Sequence, residues 1–135
     1  MARYLLDTNH ISPLVTFDHP LRQRILFRHN NGDEFFIPVP ALAEFLFGLR
    51  MSQRAVSNLQ EWERLQGIFG YYIITVTDAQ EAAKLQAVLR RTGWQLATVD
   101  ALIATVAVRN HLILLTTDGD FRPIENLVQE NWITG

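Results

Sequence analysis

Four acidic residues stand where a carboxylate either follows an apolar run directly or has no polar neighbour on its own helix. Asp7 ends "YLLD", and Asp118 follows "LILLTT", so each comes just after a segment typical of a buried strand. Asp100 and Glu44 lie in apolar helical segments, "TVDALIATVAV" and "PALAEFLFGL". Carboxylates in such settings bind hard divalent cations or act in acid–base chemistry.

The strand-end acids also have purely structural interpretations. Asp7 could cap a helix, although Thr8 and Asn9 are equally good caps and would leave it free. For Asp7 considered alone, the capping interpretation and the functional interpretation are about equally supported. Asp118 and Asp120 lie in "TTDGD", where the Asp-Gly pair favours a turn. Considered singly, each of these two acids is better explained by the turn.

Asp100 falls in the first turn of a helix if Thr98 is its N-cap, and in that position the helix dipole stabilises a negative charge. Its neighbours three and four residues away are all apolar. They are Leu96, Ala97, Ile103 and Ala104. We therefore expect the face that carries Asp100 to point inward or to line a pocket.

Glu44 has the same apolar surroundings without a helix end to stabilise its charge. Its neighbours on the helix are Pro40, Ala41, Phe47 and Gly48. A glutamate on such a face is expected to be buried and to need a partner from elsewhere in the fold. A buried arginine is one candidate. Convergence with the other acids is favoured, because several acids lack a partner.

If these acids converge, each pair at about 4 Å costs on the order of 4 kcal/mol at an effective dielectric near 20. A Mg²⁺ or Mn²⁺ ion would relieve that repulsion, because hard divalent ions prefer oxygen ligands. The four histidines lack the spacing of a zinc site, and a surface or capping role is expected for His10. An all-carboxylate site suggests phosphate chemistry. Neither a Walker A motif nor a dinucleotide glycine fingerprint is present.

The elements that must position these acids alternate along the chain. Strands are predicted at 4–7, 34–39, 71–76 and 112–116, with a last one near Trp132. Helices are predicted at 20–30, from Pro40 to about Arg50, at 52–69, from Thr77 to about Arg91, and from Thr98 to about Asn110. Alternation of this kind predicts a parallel sheet flanked by helices, with ligands beyond the carboxyl ends of its strands.

Composition limits the classes to which the chain can belong. Its 135 residues suggest one domain over 1–135, and 48% hydrophobic residues are enough for a full core. The absence of cysteine excludes disulfides, thiolate zinc sites and a cysteine nucleophile. The net charge of −2 does not suggest a surface that is basic throughout. With no membrane-length apolar run and no leader segment, we expect a cytoplasmic protein.

Four segments in order, "YLLDTNHIS", "PALAEFLFGL", "TVDALIATVAV" and "LLTTDGDF", together resemble the PIN-domain family, and most closely its VapC-type toxins. The resemblance implies a PIN-like three-layer α/β/α sandwich with a mainly parallel sheet of four to five strands. It implies catalytic roles for Asp7, Glu44, Asp100 and Asp118, and metal binding by the three aspartates. Accessory roles fall on Thr116 and Asp120.

The same resemblance implies a Mg²⁺- or Mn²⁺-dependent endoribonuclease that inhibits translation. It further implies an RNA substrate, a homodimer and a small cognate antitoxin whose C-terminal segment blocks the site. Two alternatives stay open. The chain could be a binding module in which the acids hold a structural ion, or a structure-specific DNA nuclease.

Overall fold

Five parallel strands form the central sheet. The computed structural model describes residues 1–134. The strands are β1 (Arg3–Leu6), β2 (Glu34–Pro38), β3 (Phe69–Tyr72), β4 (Ile113–Leu115) and β5 (Gln129–Glu130). Their spatial order is β3-β2-β1-β4-β5, and every neighbouring pair is parallel. The sheet confirms the predicted α/β class.

Five α-helices cover the sheet: α1 (Pro20–Asn30), α2 (Val39–Met51), α3 (Ala55–Leu65), α4 (Val76–Arg91) and α5 (Thr98–Arg109). The chain moves from β1 to β2 to β3 in one direction and then crosses back to β4. Right-handed crossovers therefore place α1–α3 on one face and α4–α5 on the other. The packing of α2 against α3 and of α4 against α5 agrees with this arrangement. The predicted three-layer sandwich is confirmed.

The central strands are apolar on both faces because helices cover both. Leu5, Leu6, Leu114 and Leu115 are fully buried, which is the pattern of a parallel strand in the middle of a sheet. The bounds predicted for the edge strand β3, 71–76, were wrong: this strand begins at Phe69 and ends at Tyr72. The last strand was predicted near Trp132, and β5 lies just before that residue.

The predicted start of α4 and the predicted N-cap of α5 were also wrong. Thr75, not Thr77, caps α4: its hydroxyl accepts a hydrogen bond from the Asp78 amide, and the Asp78 carboxylate accepts one from the Thr75 amide. This reciprocal capping box draws the chain into the helix at Val76 and so shortens β3. At α5, Ala97 is the N-cap residue, while the Thr98 hydroxyl lies 3.2 Å from the Gln86 amide of α4.

The predicted helix over 52–69 is shorter in the structure. It runs from Ala55 to Leu65, a 3-10 turn (Gln66–Ile68) follows, and Phe69 already belongs to β3. Phe69 stacks on Trp62 of α3, with ring centroids 5.7 Å apart. The turn thus lets Phe69 leave the helix and enter the sheet beside the helix that it packs against.

Trp132 ties the end of the chain to the core. Its ring lies 4.8 Å from that of Tyr4 in β1 and 5.9 Å from that of Phe35 in β2, both edge-to-face. The guanidinium of Arg24 in α1 lies 3.9 Å from the same ring. These contacts fix the segment that follows β5 against β1 and α1.

Within residues 1–134, no helix is long and apolar enough to cross a membrane.

Asp78 provides a test of the packing between α4 and α5. Asp78 is 2% exposed, and its carboxylate accepts hydrogen bonds from the Thr75 amide and the Arg109 guanidinium. Burial raises the pKa of Asp78, but the hydrogen bonds from Thr75 and Arg109 outweigh it and hold the pKa below the usual value. Asp78→Asn should lower the free energy of unfolding by about 2–3 kcal/mol at pH 7.

Because the folded-state pKa is depressed, this contribution is complete above about pH 4, the ordinary aspartate pKa, and fades as pH falls further. Urea unfolding at pH 7 and pH 3 measures it. Glu81→Gln, an exposed position on the same helix, should change stability by less than about 0.5 kcal/mol at both pH values. An equal effect of the two variants at pH 7 would contradict the assignment.

Candidate metal centre

The candidate site lies where the strand order changes direction. The chain leaves β1 toward β2 on one side, and β4 returns on the other side of β1. Asp7 follows β1, and the segment from Thr116 to Asp118 follows β4 directly. Ligands of open α/β sheets bind at such switch points. The register, which pairs Leu6 with Leu115, therefore brings residues more than 100 positions apart into contact.

Asp7 is held rigidly at this edge. It is 7% exposed; its Oδ1 accepts from the Thr8 amide at 2.9 Å, and its Oδ2 accepts from the Thr116 hydroxyl at 2.8 Å. Burial raises its pKa against the effect of these bonds, and the charges of Asp118 and Glu44 raise it further. Asp7 also caps the short 3-10 turn Thr8–His10. Asp7 therefore both caps a 3-10 turn and lies among the other acids, so the two interpretations of this residue do not exclude each other.

Three further aspartates gather beside it. Carboxylate oxygens of Asp100, Asp118 and Asp120 lie within 4.8 Å of one another. Burial raises the pKa of Asp100 to about 6, and the charges of Asp7, Asp118, Asp120 and Glu44 add to that effect. Asp118 accepts from the Asp120 amide at 2.8 Å and so forms the predicted turn. That turn brings the Asp120 carboxylate into the cluster with Asp100 and Asp118.

The structure corrects the expectation that Glu44 is buried. Its side chain is exposed, as are its helix neighbours Phe47 and Gly48. The reason is that α2 buries a narrow face, made of Ala41, Phe45 and Leu49, and Glu44 adjoins that face at the rim of a cleft. Its Oε2 accepts from the Thr8 hydroxyl at 2.8 Å. Through Thr8 it is joined to the turn that carries Asp7.

Two depressions flank the acids. The larger is an open cleft of about 1340 Å³ with Asp7, Glu44, Asp100 and Asp118 in its wall. It continues between α2, α3 and the residues before α1, where Phe17, Leu49 and Arg54 line it. A second groove of about 590 Å³ is lined by Asp120 together with Gln86, Arg90 and Gln95. The cluster therefore lies between two surfaces that a long ligand could follow.

The charge of these acids is not compensated by protein groups. Among residues 1–134, no lysine, arginine or histidine forms an ion pair with Asp7, Glu44, Asp100, Asp118 or Asp120. Burial is the main cause of the raised pKa of Asp100, and the neighbouring carboxylate charges raise that pKa further. Oxygen donors so close together suit a hard divalent cation such as Mg²⁺ or Mn²⁺. The residues present therefore fit a metal of this class.

Two residues beside Asp7 escaped the functional predictions. Asn9 donates from Nδ2 to Asp7 Oδ2 at 3.1 Å. His10, for which a surface or capping role was predicted, is fully buried, and that prediction was wrong. Both follow Asp7 in "DTNH", but the sequence contains no local signal for two of their partners, Thr117 and Trp132, which lie more than 100 residues away.

Comparison with known proteins agrees with this arrangement. The PIN domain family matches residues 4–127. The chain belongs to the PIN-domain family. The four segments that resembled the family lie within the matched range, so the resemblance is confirmed. A comparison with curated protein sequences found no match.

Solved structures share the fold of this PIN domain. A chain from VapBC2 of Rickettsia felis, bound to a promoter DNA fragment, superposes with a TM-score of 0.83 at 22% identity, covering 96% of this chain and 98% of that one. DNA-bound VapBC of Salmonella typhimurium gives a TM-score of 0.82 at 22% identity, covering 98% of this chain and 99% of that one. VapC20 of Mycobacterium tuberculosis, a sarcin–ricin loop cleaving toxin, gives a TM-score of 0.63 at 16% identity, covering 90% of this chain and 95% of that one.

Because the charges of these acids are not compensated, removing one of them should stabilise the metal-free protein. In EDTA, Asp100→Asn should raise the free energy of unfolding by about 1 kcal/mol at pH 7, because it removes a half-buried charge that faces other carboxylates. Added Mg²⁺ should stabilise the unchanged protein more than the variant. Thermal melts with EDTA and with Mg²⁺ measure both effects. Glu63→Gln, on the exposed face of α3, is the control, and a lower Tm for Asp100→Asn in EDTA would refute the electrostatic argument.

Proposed function

We propose that this PIN domain, spanning residues 1–135, is a metal-dependent endoribonuclease and the toxin of a toxin–antitoxin pair. The observation that carries the proposal is the group of uncompensated carboxylates at the ends of β1 and β4, open to a long cleft. Membership of the PIN-domain family supports it. The likeness in fold to VapC20, a sarcin–ricin loop cleaving toxin, supports RNA as the proposed substrate class.

Asp7, Asp100 and Asp118 would hold the Mg²⁺ or Mn²⁺ ion, with Asp120 close enough to take part. Such an ion, when bound, lowers the pKa of a water and stabilises negative charge on the phosphate. Thr116 holds Asp7 through its hydroxyl and accepts from the Asp118 amide at 3.0 Å. This threonine therefore links the acids that follow β1 and β4 and fixes their relative positions.

Glu44 is the proposed general base. Thr8 binds its Oε2, which holds the carboxylate toward the cleft and leaves Oε1 free to accept a proton from the attacking water. The water oxygen forms a bond to phosphorus, and the bond from phosphorus to one ribose oxygen breaks. That oxygen leaves with the electron pair and is protonated by solvent.

The second groove is proposed to hold the RNA beyond the scissile phosphate. Arg90 lines it beside Asp120, and a guanidinium there suits a phosphate oxygen of the chain. Two other exposed arginines, Arg50 and Arg91, do not line either depression. Arg90 is therefore the preferred contact.

The larger cleft is proposed to bind the antitoxin. Its wall combines apolar side chains, among them Val15, Phe17 and Leu49, with the acids of the site. A segment with an apolar face and a basic residue would fit both features and block access to Glu44. A homodimer in the cytoplasm is part of the same proposal, and analytical ultracentrifugation of the purified chain tests the dimer.

Cleavage assays test the assignment of the acids. With Mg²⁺ or Mn²⁺, Asp7→Asn, Asp100→Asn and Asp118→Asn should each lower RNA cleavage at least about 100-fold, because each removes a proposed ligand charge. Glu44→Gln should lower kcat and leave metal affinity nearly unchanged. Glu63→Gln is the matched control. Retained metal-dependent cleavage by Asp7→Asn protein would overturn the assignment.

The same assay separates the alternatives. Single-stranded RNA, structured RNA and branched DNA are incubated with the protein and Mg²⁺, against an EDTA control. Cleavage of DNA alone would favour the structure-specific DNA nuclease. Metal binding without cleavage of any substrate would favour the binding module.

Arg90 is tested by its effect on substrate binding. Arg90→Ala should raise KM for RNA about tenfold, the equivalent of one charge-assisted hydrogen bond, with little change in kcat. Arg91→Ala changes the adjacent exposed arginine outside the groove and should have a much smaller effect. Equal effects of the two variants would contradict a specific contact between Arg90 and the RNA and would indicate nonspecific electrostatic attraction instead.

A further inference from the structure

His10 is a fully buried histidine whose two ring nitrogens both have partners. Nε2 lies 3.1 Å from the backbone nitrogen of Trp132, and Nδ1 lies 2.8 Å from Asn9 Oδ1. A backbone N–H can only donate, so Nε2 must accept, and the proton of the neutral ring is on Nδ1. Nδ1 therefore donates to Asn9. Burial, aided by the charge of Arg24, lowers the pKa of His10 to about 4 and keeps the ring neutral.

The His10 bond determines which way the Asn9 amide faces. Asn9 Oδ1 accepts from His10 Nδ1 and from the Thr117 amide at 3.1 Å. With its oxygen held by these donors, Asn9 must present Nδ2 to the opposite side. There Nδ2 donates to Asp7 Oδ2 at 3.1 Å. A flipped amide would place its oxygen against the Asp7 carboxylate, which is electrostatically unfavourable.

The other end of this chain of hydrogen bonds is anchored in the core. The Trp132 ring packs against Tyr4 and Phe35, and its indole nitrogen donates to Glu130 at 2.9 Å. Trp132 lies beyond residues 4–127, the range that matches the family. The segment 129–134, which includes β5, therefore lies beyond the matched range, yet it reaches toward Asp7 through His10 and Asn9.

We propose that His10 is a positioning residue: anchored by the Trp132 backbone, it orients Asn9 and thereby fixes the Asp7 carboxylate for metal binding. The inference rests on the proposed function for the role of Asp7, while the relay itself is a property of the folded chain. The C-terminal segment consequently contributes to the active centre without touching substrate.

Three substitutions at position 10 separate the two bonds of the ring. His10→Asn keeps a donor near the Nδ1 position, His10→Gln keeps an acceptor near the Nε2 position, and His10→Phe keeps neither. We expect His10→Phe and His10→Gln to lower kcat about tenfold and to weaken Mn²⁺ binding, measured by calorimetry without RNA, by a similar factor. KM for RNA should not change. His10→Asn keeps the bond to Asn9 but loses the bond to the Trp132 backbone, so its losses should be smaller than those of the other two variants but still measurable. Equal losses in all three variants would overturn the role of the bond to Asn9.

A double-mutant cycle distinguishes positioning from a general loss of stability. If His10 acts through Asn9, then His10→Phe should cause no further loss of kcat in an Asn9→Ala background. Additive losses would contradict the relay. Leu65→Ala, a buried substitution in α3 away from the relay, is the control for destabilisation and should leave kcat unchanged below its Tm.

A measurement in EDTA keeps the test independent of catalysis and metal. In the unchanged protein, NMR should show two distinct, protected Asn9 side-chain amide protons. His10→Phe should shift these signals and remove their protection, whereas Leu65→Ala should not. If the unchanged protein does not cleave RNA, the proposed function fails, but the NMR measurement still tests whether His10 orients Asn9. Unaltered Asn9 side-chain amide signals in His10→Phe would overturn the role of His10.

Discussion

Repulsion among carboxylates that the protein itself does not neutralise is the constraint around which this molecule is organised. Burial and neighbouring charges raise the pKa of both Asp7 and Asp100. Such an arrangement costs stability in the absence of a cation, and the rest of the fold must maintain it. The sheet does so by keeping the ends of β1 and β4 adjacent through backbone hydrogen bonds that no side-chain repulsion can easily break.

The hydrogen-bonding side chains around Asp7 serve the same constraint. Thr116 and Asn9 both donate to its Oδ2, and the Thr8 amide holds its Oδ1. None of these donors is charged, so they orient the carboxylate without neutralising it. A charged partner such as the Arg109 guanidinium beside Asp78 has the opposite effect, and the pKa of Asp78 is lowered. The two aspartates therefore illustrate a carboxylate available for a cation and one already satisfied by the protein.

Local sequence predicted the elements well where one local force dominated. The segments that became β1 and β4 were recognised from their short apolar runs, and the helix from Pro20 to Asn30 from its helical spacing. The prediction was wrong where a side-chain bond competed with the pattern. "YYIITV" looks like one strand, but the capping box between Thr75 and Asp78 ends it early. Glu44 looked buried because its neighbours are apolar, yet only one narrow face of α2 contacts the core.

The sequence by itself determined the fold class, the order of the acids and the elements that carry them, because each depends on residue types and on spacing within one strand or helix. Only the tertiary structure decided how the acids meet. It moved Asp120 into the cluster, left Glu44 exposed beside Thr8, and buried His10 between Asn9 and Trp132. These outcomes depend on strand register and on contacts between residues distant in the chain, from 36 positions for Thr8 and Glu44 to 122 for His10 and Trp132. No local pattern encodes such contacts, since their free energy arises only when the complete sheet has formed.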